Sequence, residues 1–282
     1  MRNYKITSKI KLKDFQTKEI NENAKKELKK IRKKISKLQD VMYADGKYSL
    51  LVCLQGMDTS GKDSLIREVF KDVNANGVEV TSFKVPSEIE LKHDYLWRHN
   101  LALPSRGKIG VFNRTHYENV LVTRVHKNYV LGENIPNLKL EDLTDEFYHK
   151  RMDSINNFES HLVANGTIVL KFFLNLSKEE QKNRLLRRLN LPGKNWKFSS
   201  GDLKERKLWD DYMFCYEDLL NRTSKENAPW FVIPADDKPT ARLLVAETIL
   251  KTLQNFKNLN YPILNTEERN KIKTYKEALD SE

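Results

Sequence analysis

Short apolar runs alternate with longer stretches of helical periodicity along most of this chain. The apolar runs predict strands at residues 51–54, 78–83, 108–112, 167–173 and 230–233. Apolar residues recur at helical spacing at residues 88–101, 143–164, 178–189, 203–220 and 240–256. Strands that alternate with helices are typical of a parallel sheet with helices on both faces. The pattern therefore predicts an α/β fold, in which ligands bind at the carboxyl ends of the strands.

The amino-terminal part of the chain predicts an amphipathic helix with a basic polar face. Its apolar stripe consists of Leu28, Ile31, Ile35, Leu38 and Val41. A docked helix with a solvated lysine face, a substrate-binding helix and, more weakly, a helix on a membrane surface all fit this pattern.

The net charge of +11 comes from two segments. Residues 1–48 hold 15 Lys and Arg against 6 Asp and Glu, and residues 182–207 hold 9 against 2. The rest of the chain has a net charge of −5. Because the basic residues are confined in this way, a general nucleic-acid surface is not expected, and no nucleic-acid partner is predicted.

The composition predicts a globular protein of the cytoplasm. A chain of 282 residues can bury a sizeable core. No apolar run reaches the roughly 18 residues that a membrane span needs, and the amino terminus lacks the apolar segment of a signal peptide. We therefore expect no membrane partner. Cys53 and Cys215 lie in a predicted strand and a predicted helix, so neither a disulfide framework nor a cysteine-based metal site is expected.

A phosphate-binding loop follows the first predicted strand. Residues 56–63 read Gly-Met-Asp-Thr-Ser-Gly-Lys-Asp, which matches the G-x-x-x-x-G-K-[ST] pattern except that Asp63 replaces the final hydroxyl residue. Backbone N–H groups of the loop and of the following helix attract anions, and Lys62 adds a positive charge. Without the hydroxyl that usually helps to hold magnesium, either the loop binds no metal or carboxylates such as Asp58 replace it. The loop predicts phosphoryl transfer.

Six segments, in chain order, resemble signatures of the type 2 polyphosphate kinases. They are residues 56–63, 82–86, 110–122, 194–199, 209–212 and 228–236, which read GMDTSGKD, SFKVP, GVFNRTHYENVLV, KNWKFS, WDDY and APWFVIPAD. The resemblance extends over residues 20–260. It implies a thymidylate-kinase-like P-loop fold and transfer of the terminal phosphoryl group of inorganic polyphosphate to a nucleotide. It also implies Mg²⁺ as cofactor, with Mn²⁺ as an alternative, and a homo-oligomer, either a dimer or a tetramer.

The same resemblance implies roles for individual residues. Lys62 would contact the transferred phosphoryl group, Asp58 would hold magnesium, and Arg114 would clamp a phosphate with its planar guanidinium. Asn113 stands where many family members have Asp, and since an amide is the poorer metal ligand, Glu118 is the second metal candidate. Asn at this position resembles the subgroup that accepts both AMP and ADP, so ADP and ATP are the expected products. The substrate-binding candidates are Gly56, Met57, Thr59, Ser60, Gly61, Asp63, Ser64, Lys84, Asn113, Arg184 and Arg188.

The predicted organisation has three parts. Residues 1–48 form a basic helical extension, residues 49–260 the P-loop kinase domain, and residues 261–282 a helical tail. A basic helical lid spans residues 178–207, and Pro192-Gly193 could serve as its hinge. The lid arginines are Arg184, Arg187 and Arg188.

Two other functions stay open on the sequence. One is a nucleotide kinase that uses ATP as donor, against which the missing hydroxyl after Lys62 and the basic lid argue. The other is a nucleotide-gated polyanion-binding protein, against which the lack of a clear aromatic platform argues.

Overall fold

The computed structural model of the protein describes residues 4–197, 199, 201–256 and 259–282. Phe198 of the KNWKFS segment and Ser200 of the predicted lid lie outside the described residues, as do the first three residues of the predicted extension. The described chain contains a parallel sheet in the strand order β2-β3-β1-β4-β5, which confirms the predicted α/β class. The strands are β1 Ser49–Gln55, β2 Val78–Ser82, β3 Ile109–Asn113, β4 Thr167–Asn175 and β5 Trp230–Pro234.

Helices cover both faces of this sheet. Along β1, Leu50, Val52 and Leu54 pack in one hydrophobic cluster, whereas Leu51 and Cys53 pack in another on the opposite face. A strand covered on both faces has no exposed positions, which is why it reads as an unbroken apolar run. The helices are α1 Ala24–Asp45, α2 Lys62–Val69, α3 Trp97–Leu101, α4 Val122–Val125, α5 Asn128–Leu131, α6 Asp145–Ala164, α7 Lys178–Asn190, α8 Gly201–Lys207, α9 Trp209–Thr223, α10 Lys238–Gln254 and α11 Thr266–Asp280. The 3₁₀ turns are Leu12–Asp14, Ala75–Gly77, Glu90–Lys92, His116–Asn119, Leu140–Asp142 and Pro192–Lys197.

The predicted amphipathic helix is α1, and its apolar stripe packs into the same core as β1 and α10. Leu28 and Ile35 are buried, and Ile31 and Leu38 are partly buried against the cluster. α1 is therefore docked through its apolar face, and its lysine face is exposed to solvent. The division at residue 48 stays a prediction.

The residues before α1 extend along the outer edge of the sheet. The N–H of Val232 donates to the carbonyl oxygen of Tyr4 at 2.9 Å, and the N–H of Ile6 donates to the carbonyl oxygen of Trp230 at 2.9 Å. Because an open edge strand can pair with other chains, this segment protects β5. Within the described part of the chain, no helix has both the length and the apolar character needed to cross a membrane.

Two predicted helices are wrong in extent. Residues 88–101 form the turn Glu90–Lys92 and the short α3, since the carboxylate of Asp94 accepts from the N–H of Leu96 at 2.9 Å and stabilises a turn instead of a continuous helix. The helix predicted at residues 203–220 is interrupted at Leu208, whose backbone has φ −90° and ψ 20°, and is divided into α8 and α9.

Candidate active site

The loop between β1 and α2 encloses the side chain of Lys62. Its Nζ donates to the carbonyl oxygen of Gly56 at 2.6 Å and to that of Met57 at 3.3 Å. Only 8% of Lys62 is exposed. Burial, and then the charge of Arg114, lower the pKa of Lys62 to about 8, whereas Asp58 acts in the opposite direction. The loop therefore holds an ammonium group among neutral oxygens, where an anionic phosphate is a stronger partner.

The loop depends on backbone conformations that few residues adopt. Gly56 has φ 149°, and a Cβ added there would lie 2.9 Å from the carbonyl oxygen of Leu174. Gly61 has φ 106°, and a Cβ there would meet only side-chain atoms, at 3.6 Å or more. Thr59 has φ 65°, in the left-handed region that non-glycine residues rarely occupy. Such conformations persist only where surrounding contacts hold them.

Arg184 on α7 supplies these contacts. Arg184 is 7% exposed, and all five N–H groups of its side chain have acceptors in this structure. In this structure Arg184 therefore joins the loop to the residues that follow β5, and its predicted substrate contact stays a prediction. The acceptors are Glu180 Oε1 at 2.7 Å and the carbonyl oxygens of Thr59 at 2.9 Å, Ser60 at 3.0 Å, Ala235 at 2.7 Å and Asp236 at 2.9 Å.

We expect Arg184→Ala to destabilise the whole domain. The substitution leaves several buried carbonyl oxygens without donors, which lowers the free energy of unfolding by about 3 kcal/mol or more. Urea denaturation measures this loss, with Arg188→Ala as the matched control from the same helix. A purely substrate-binding Arg184 would instead give a normal denaturation midpoint and a raised KM for polyphosphate.

Asp58, Arg114 and Glu118 form an ion-paired group beside the loop. Arg114 Nη2 lies 2.7 Å from Asp58 Oδ1, and Arg114 Nη1 lies 3.5 Å from Glu118 Oε2. Arg114 directly follows β3 and has φ 59°, a second left-handed residue at this end of the sheet. Burial raises the pKa of Asp58, but Arg114 and Lys62 outweigh it and the pKa lies below its ordinary value. Asp58 is therefore ionised at neutral pH.

The carboxylates of Asp58 and Glu118 are of a kind that fits a hard divalent cation. Mg²⁺ prefers oxygen ligands and is usually held by one or two carboxylates together with substrate phosphates. Within the residues that the structure describes, no group of three or more His, Cys, Asp or Glu could hold a metal. Two carboxylates beside a phosphate loop are compatible with a cation that is held jointly with phosphate.

Asn113 joins the phosphate loop to the end of β2. Its Nδ2 donates to Asp63 Oδ1 at 2.7 Å and to Ser82 Oγ at 3.2 Å. Its Oδ1 is buried and accepts no hydrogen bond from the described residues. At position 63 the general loop pattern has Ser or Thr. This chain has Asp63 instead, and its carboxylate accepts a hydrogen bond from the side-chain amide of Asn113.

We expect Asn113→Asp to lower kcat/KM by roughly tenfold, because it places a second carboxylate against Asp63 in a partly buried position. Initial rates with AMP and with ADP measure the loss and also show whether the preference between them changes. The matched control is Asp63→Asn combined with Asn113→Asp, which restores one amide and one carboxylate. If the combined variant is no more active than Asn113→Asp, the contact between these two side chains does not explain the loss.

A cleft of about 800 Å³ opens from the ion-paired group toward α8. Lys84 lies exposed on its rim at the end of β2. On the lid side, Arg188 Nη1 donates to Asp202 Oδ2 at 3.0 Å. The carboxylate of Glu205 is 2.9 Å from His126 Nε2. The first of these contacts lies within the predicted lid, and the second connects it to His126 on the far wall of the cleft.

Some residues that position the site were missed in the sequence. Gln181 donates to the carbonyl oxygen of Asp58 at 3.2 Å, and its helical setting gives no sign of this. The fully buried Lys171 on β4 did carry a signal, because a lysine within an apolar strand needs a buried partner. That partner is Glu159 on α6, whose Oε2 is 2.5 Å from Lys171 Nζ.

The buried pair of Lys171 and Glu159 supports the turn that carries Glu118. Glu159 Oε1 accepts from the hydroxyl of Tyr117 at 2.7 Å and lies 3.1 Å from His116 Nε2. Lys171 also donates to the hydroxyl of Tyr117 at 2.8 Å. The buried ion pair therefore holds His116 and Tyr117, which lie between Arg114 and Glu118 in the chain.

Comparison with known proteins agrees with this geometry. The family model of polyphosphate kinase 2 matches residues 18–260. An ADP-polyphosphate phosphotransferase of Rhodopseudomonas palustris is 50% identical over 229 residues, which are 81% of this chain and 78% of the relative. An AMP/ADP-polyphosphate phosphotransferase of Meiothermus ruber is 45% identical over 232 residues, 82% of this chain and 81% of the relative.

A solved structure extends the agreement to the fold. The crystal structure of polyphosphate kinase 2 from Arthrobacter aurescens TC1 has a TM-score of 0.85 at 34% identity and covers 96% of this chain and 95% of that one. The predicted P-loop kinase fold is thereby confirmed. With the phosphate loop, the ion-paired group and the family match in the same region, the chain belongs to the polyphosphate kinase 2 family.

Proposed function

We propose that this protein transfers the terminal phosphoryl group of inorganic polyphosphate to AMP and to ADP, giving ADP and ATP. The observation that carries the proposal is the placement of Lys62 inside a phosphate loop next to Arg114, which pairs with Asp58 at 2.7 Å. A nucleotide phosphate oxygen is already ionised near neutral pH, so the acceptor needs no general base. Positioning and charge neutralisation are sufficient for this reaction. The names of the two relatives, one of them an AMP/ADP-polyphosphate phosphotransferase, support the choice of substrates.

Lys62 and Arg114 would neutralise the negative charge of the phosphates. The Nζ of Lys62 would leave the carbonyl oxygens of Gly56 and Met57 for the transferred phosphoryl group. Arg114 has five N–H groups, and those not directed at Asp58 and Glu118 can bind phosphate oxygens. The left-handed backbone of Arg114 directs its side chain toward the loop, where both carboxylates hold it.

The proposed cofactor is Mg²⁺, with Mn²⁺ as an alternative, held by Asp58 and Glu118. Such a cation neutralises phosphate charge when it is bound. Because both carboxylates also pair with Arg114, that arginine keeps them oriented before the substrates arrive. A homo-oligomer, as a dimer or a tetramer, and a cytoplasmic location stay predictions, and light scattering tests the first of them.

Chromatography of the reaction products tests the proposed function. The purified protein is incubated with Mg²⁺, long-chain polyphosphate and either AMP or ADP, with no other donor. We expect ADP and ATP from AMP, and ATP from ADP. ATP from ADP alone would remove AMP from the proposal. No product with either acceptor, from protein that binds polyphosphate, would favour the binding-protein alternative, and product formed from AMP only when ATP is added would favour the ATP-dependent kinase.

A further inference from the structure

The outward face of α1 carries a dense group of lysines. Residues 25–37 hold seven lysines and Arg32 against a single carboxylate, that of Glu27. All seven lysines are exposed. At about 100° of rotation per residue, they fall within about half of the circumference of the helix, opposite the residues that pack in the core. We call this group the lysine face, and its members are Lys25, Lys26, Lys29, Lys30, Lys33, Lys34 and Lys37.

The charges of the lysine face are not neutralised by neighbouring side chains. Within the part of the chain that the structure describes, none of the seven lysines forms an ion pair with a carboxylate. Carboxylates beside the helix bind other groups. Glu68 and Asp72 pair with Arg32 at 3.6 Å and 3.1 Å. Glu27 Oε2 accepts from Asn21 Nδ2 at 2.9 Å. The lysine face is therefore available to an external anion.

The lysines of this face stand close enough to repel one another. Five pairs of them are four residues apart, and three pairs are three residues apart. Side chains at these spacings are about 5–6 Å apart on a helix, which is less than the Debye length of about 8 Å at physiological ionic strength. Like charges so placed destabilise a helix, and α1 persists because its other face packs on β1 and α10. A bound polyanion would relieve the repulsion, so its binding should stabilise the fold.

Of the polyanions that a protein meets, polyphosphate matches the chemistry of this face. A helix that binds a membrane surface inserts its apolar face, but the apolar face of α1 is covered by the core. Surfaces that bind single-stranded nucleic acids stack bases on aromatic side chains, and residues 25–37 contain none. Polyphosphate presents only charge along a linear chain, which suits the point charges of lysine. A central row runs along the face for about 17 Å and consists of Lys26, Lys30, Lys33 and Lys37.

We propose that the lysine face of α1 is a binding surface for long-chain polyphosphate outside the active site. The choice of ligand rests on the proposed function, whereas the charge of the face does not. None of the seven lysines lines the cleft or belongs to the phosphate loop. A chain held on this face stays at the protein when its end leaves the loop, which raises the effective concentration of the donor.

Calorimetric titration with long-chain polyphosphate, without nucleotide, tests this surface. The α1 variant replaces the central row by glutamine, which keeps the helix propensity, and carries Lys26→Gln, Lys30→Gln, Lys33→Gln and Lys37→Gln. Its affinity should be about tenfold lower than that of the wild type, as expected for the loss of four exposed charge contacts. The slope of log affinity against log NaCl concentration should become shallower by about 3, because four fewer lysines neutralise phosphates. Without polyphosphate, the α1 variant should resist urea at least as well as the wild type, since repulsion is removed.

The matched control removes four exposed lysines that each pair with a carboxylate, at 2.7–3.9 Å. It carries Lys139→Gln, Lys150→Gln, Lys271→Gln and Lys273→Gln, and its affinity for polyphosphate should equal that of the wild type. An unchanged affinity in the α1 variant, or an equal fall in both variants, overturns the proposal, since the active site or the total charge would then explain the binding. If the α1 variant does not fold, Lys30→Gln combined with Lys37→Gln should lower the affinity by about threefold.

Two other polyanions check the choice of ligand. Poly(U) and phosphatidylserine vesicles are titrated at the same phosphate content as polyphosphate, and both should bind the wild type more weakly than polyphosphate does. Tighter binding of either one, lost in the α1 variant, would overturn polyphosphate as the ligand of this face.

The result is separable from that of the proposed function. Wild-type protein that forms no product from AMP or ADP, but binds polyphosphate more tightly than the α1 variant does, would overturn the proposed function and support the lysine face as a binding surface. Wild-type protein that forms product, with equal polyphosphate affinity in the α1 variant and the control, would overturn the inference alone.

Discussion

Replacing Lys62 with Ala should lower kcat/KM for polyphosphate by roughly a thousandfold or more, because it removes the positive charge that faces the transferred phosphoryl group. The fold should persist, since the backbone of the loop is held independently by Arg184. Product chromatography measures the rate, and circular dichroism during heating checks the fold.

Lys71→Ala is the matched control for this experiment. Lys71 is exposed just after α2, so its removal changes the charge equally without reaching the loop. A folded Lys62→Ala protein with activity within tenfold of the Lys71→Ala protein would disprove the assignment of the loop as the donor site.

Replacing Lys171 with Met should lower the free energy of unfolding by about 3–5 kcal/mol, because it leaves Glu159 buried without its cation. Urea denaturation at neutral pH measures the loss. In the wild type burial raises the pKa of Glu159, but Lys171 and His116 outweigh it and hold it below its ordinary value. Without Lys171 the burial effect dominates. The loss of stability should therefore shrink as the pH falls, since a protonated Glu159 carries no buried charge.

The double variant Lys171→Met, Glu159→Gln separates charge from packing. It removes both charges at similar volume, so it should recover a large part of the stability that the single variant loses. A double variant as unstable as the single one would show that the volume and shape of Lys171, and not an uncompensated charge, account for the loss.

Four strands of the sheet could be predicted from the sequence because they are largely buried and read as apolar runs, whereas β2 at the sheet edge is only partly buried. The phosphate loop could be predicted because its backbone requires glycine at positions 56 and 61, and both glycines are visible in one short stretch of sequence. The interruptions near His93 and at Leu208 could not, since a polar turn and a single non-helical residue leave the apolar spacing intact. Apolar residues at helical spacing indicate which side chains are buried, but they do not show whether the helix is continuous between them.

The candidate site shows the same division. Lys62 and Asp58 lie in a local motif, and their mutual proximity follows from the loop. The role of Arg184 could not be read from its spacing, because its acceptors on the loop and beyond β5 are distant in sequence. An arginine on a basic helix looks the same whether it faces a ligand or holds a loop. Only tertiary contacts distinguish the two, and the same holds for Arg187 and Arg188.

The attachment of α7 to the loop limits which part of the predicted lid could move. Gln181 and Arg184 connect the first half of α7 to the phosphate loop. This half of the helix can therefore move only together with the loop. Arg206 of α8 also contacts this half of α7, because its Nη1 donates to the carbonyl oxygen of Lys178 at 2.7 Å and to Gln181 Oε1 at 2.8 Å. An opening of the predicted lid would therefore have to separate Arg206 from Lys178 and Gln181, whereas the contacts of Gln181 and Arg184 with the phosphate loop could persist.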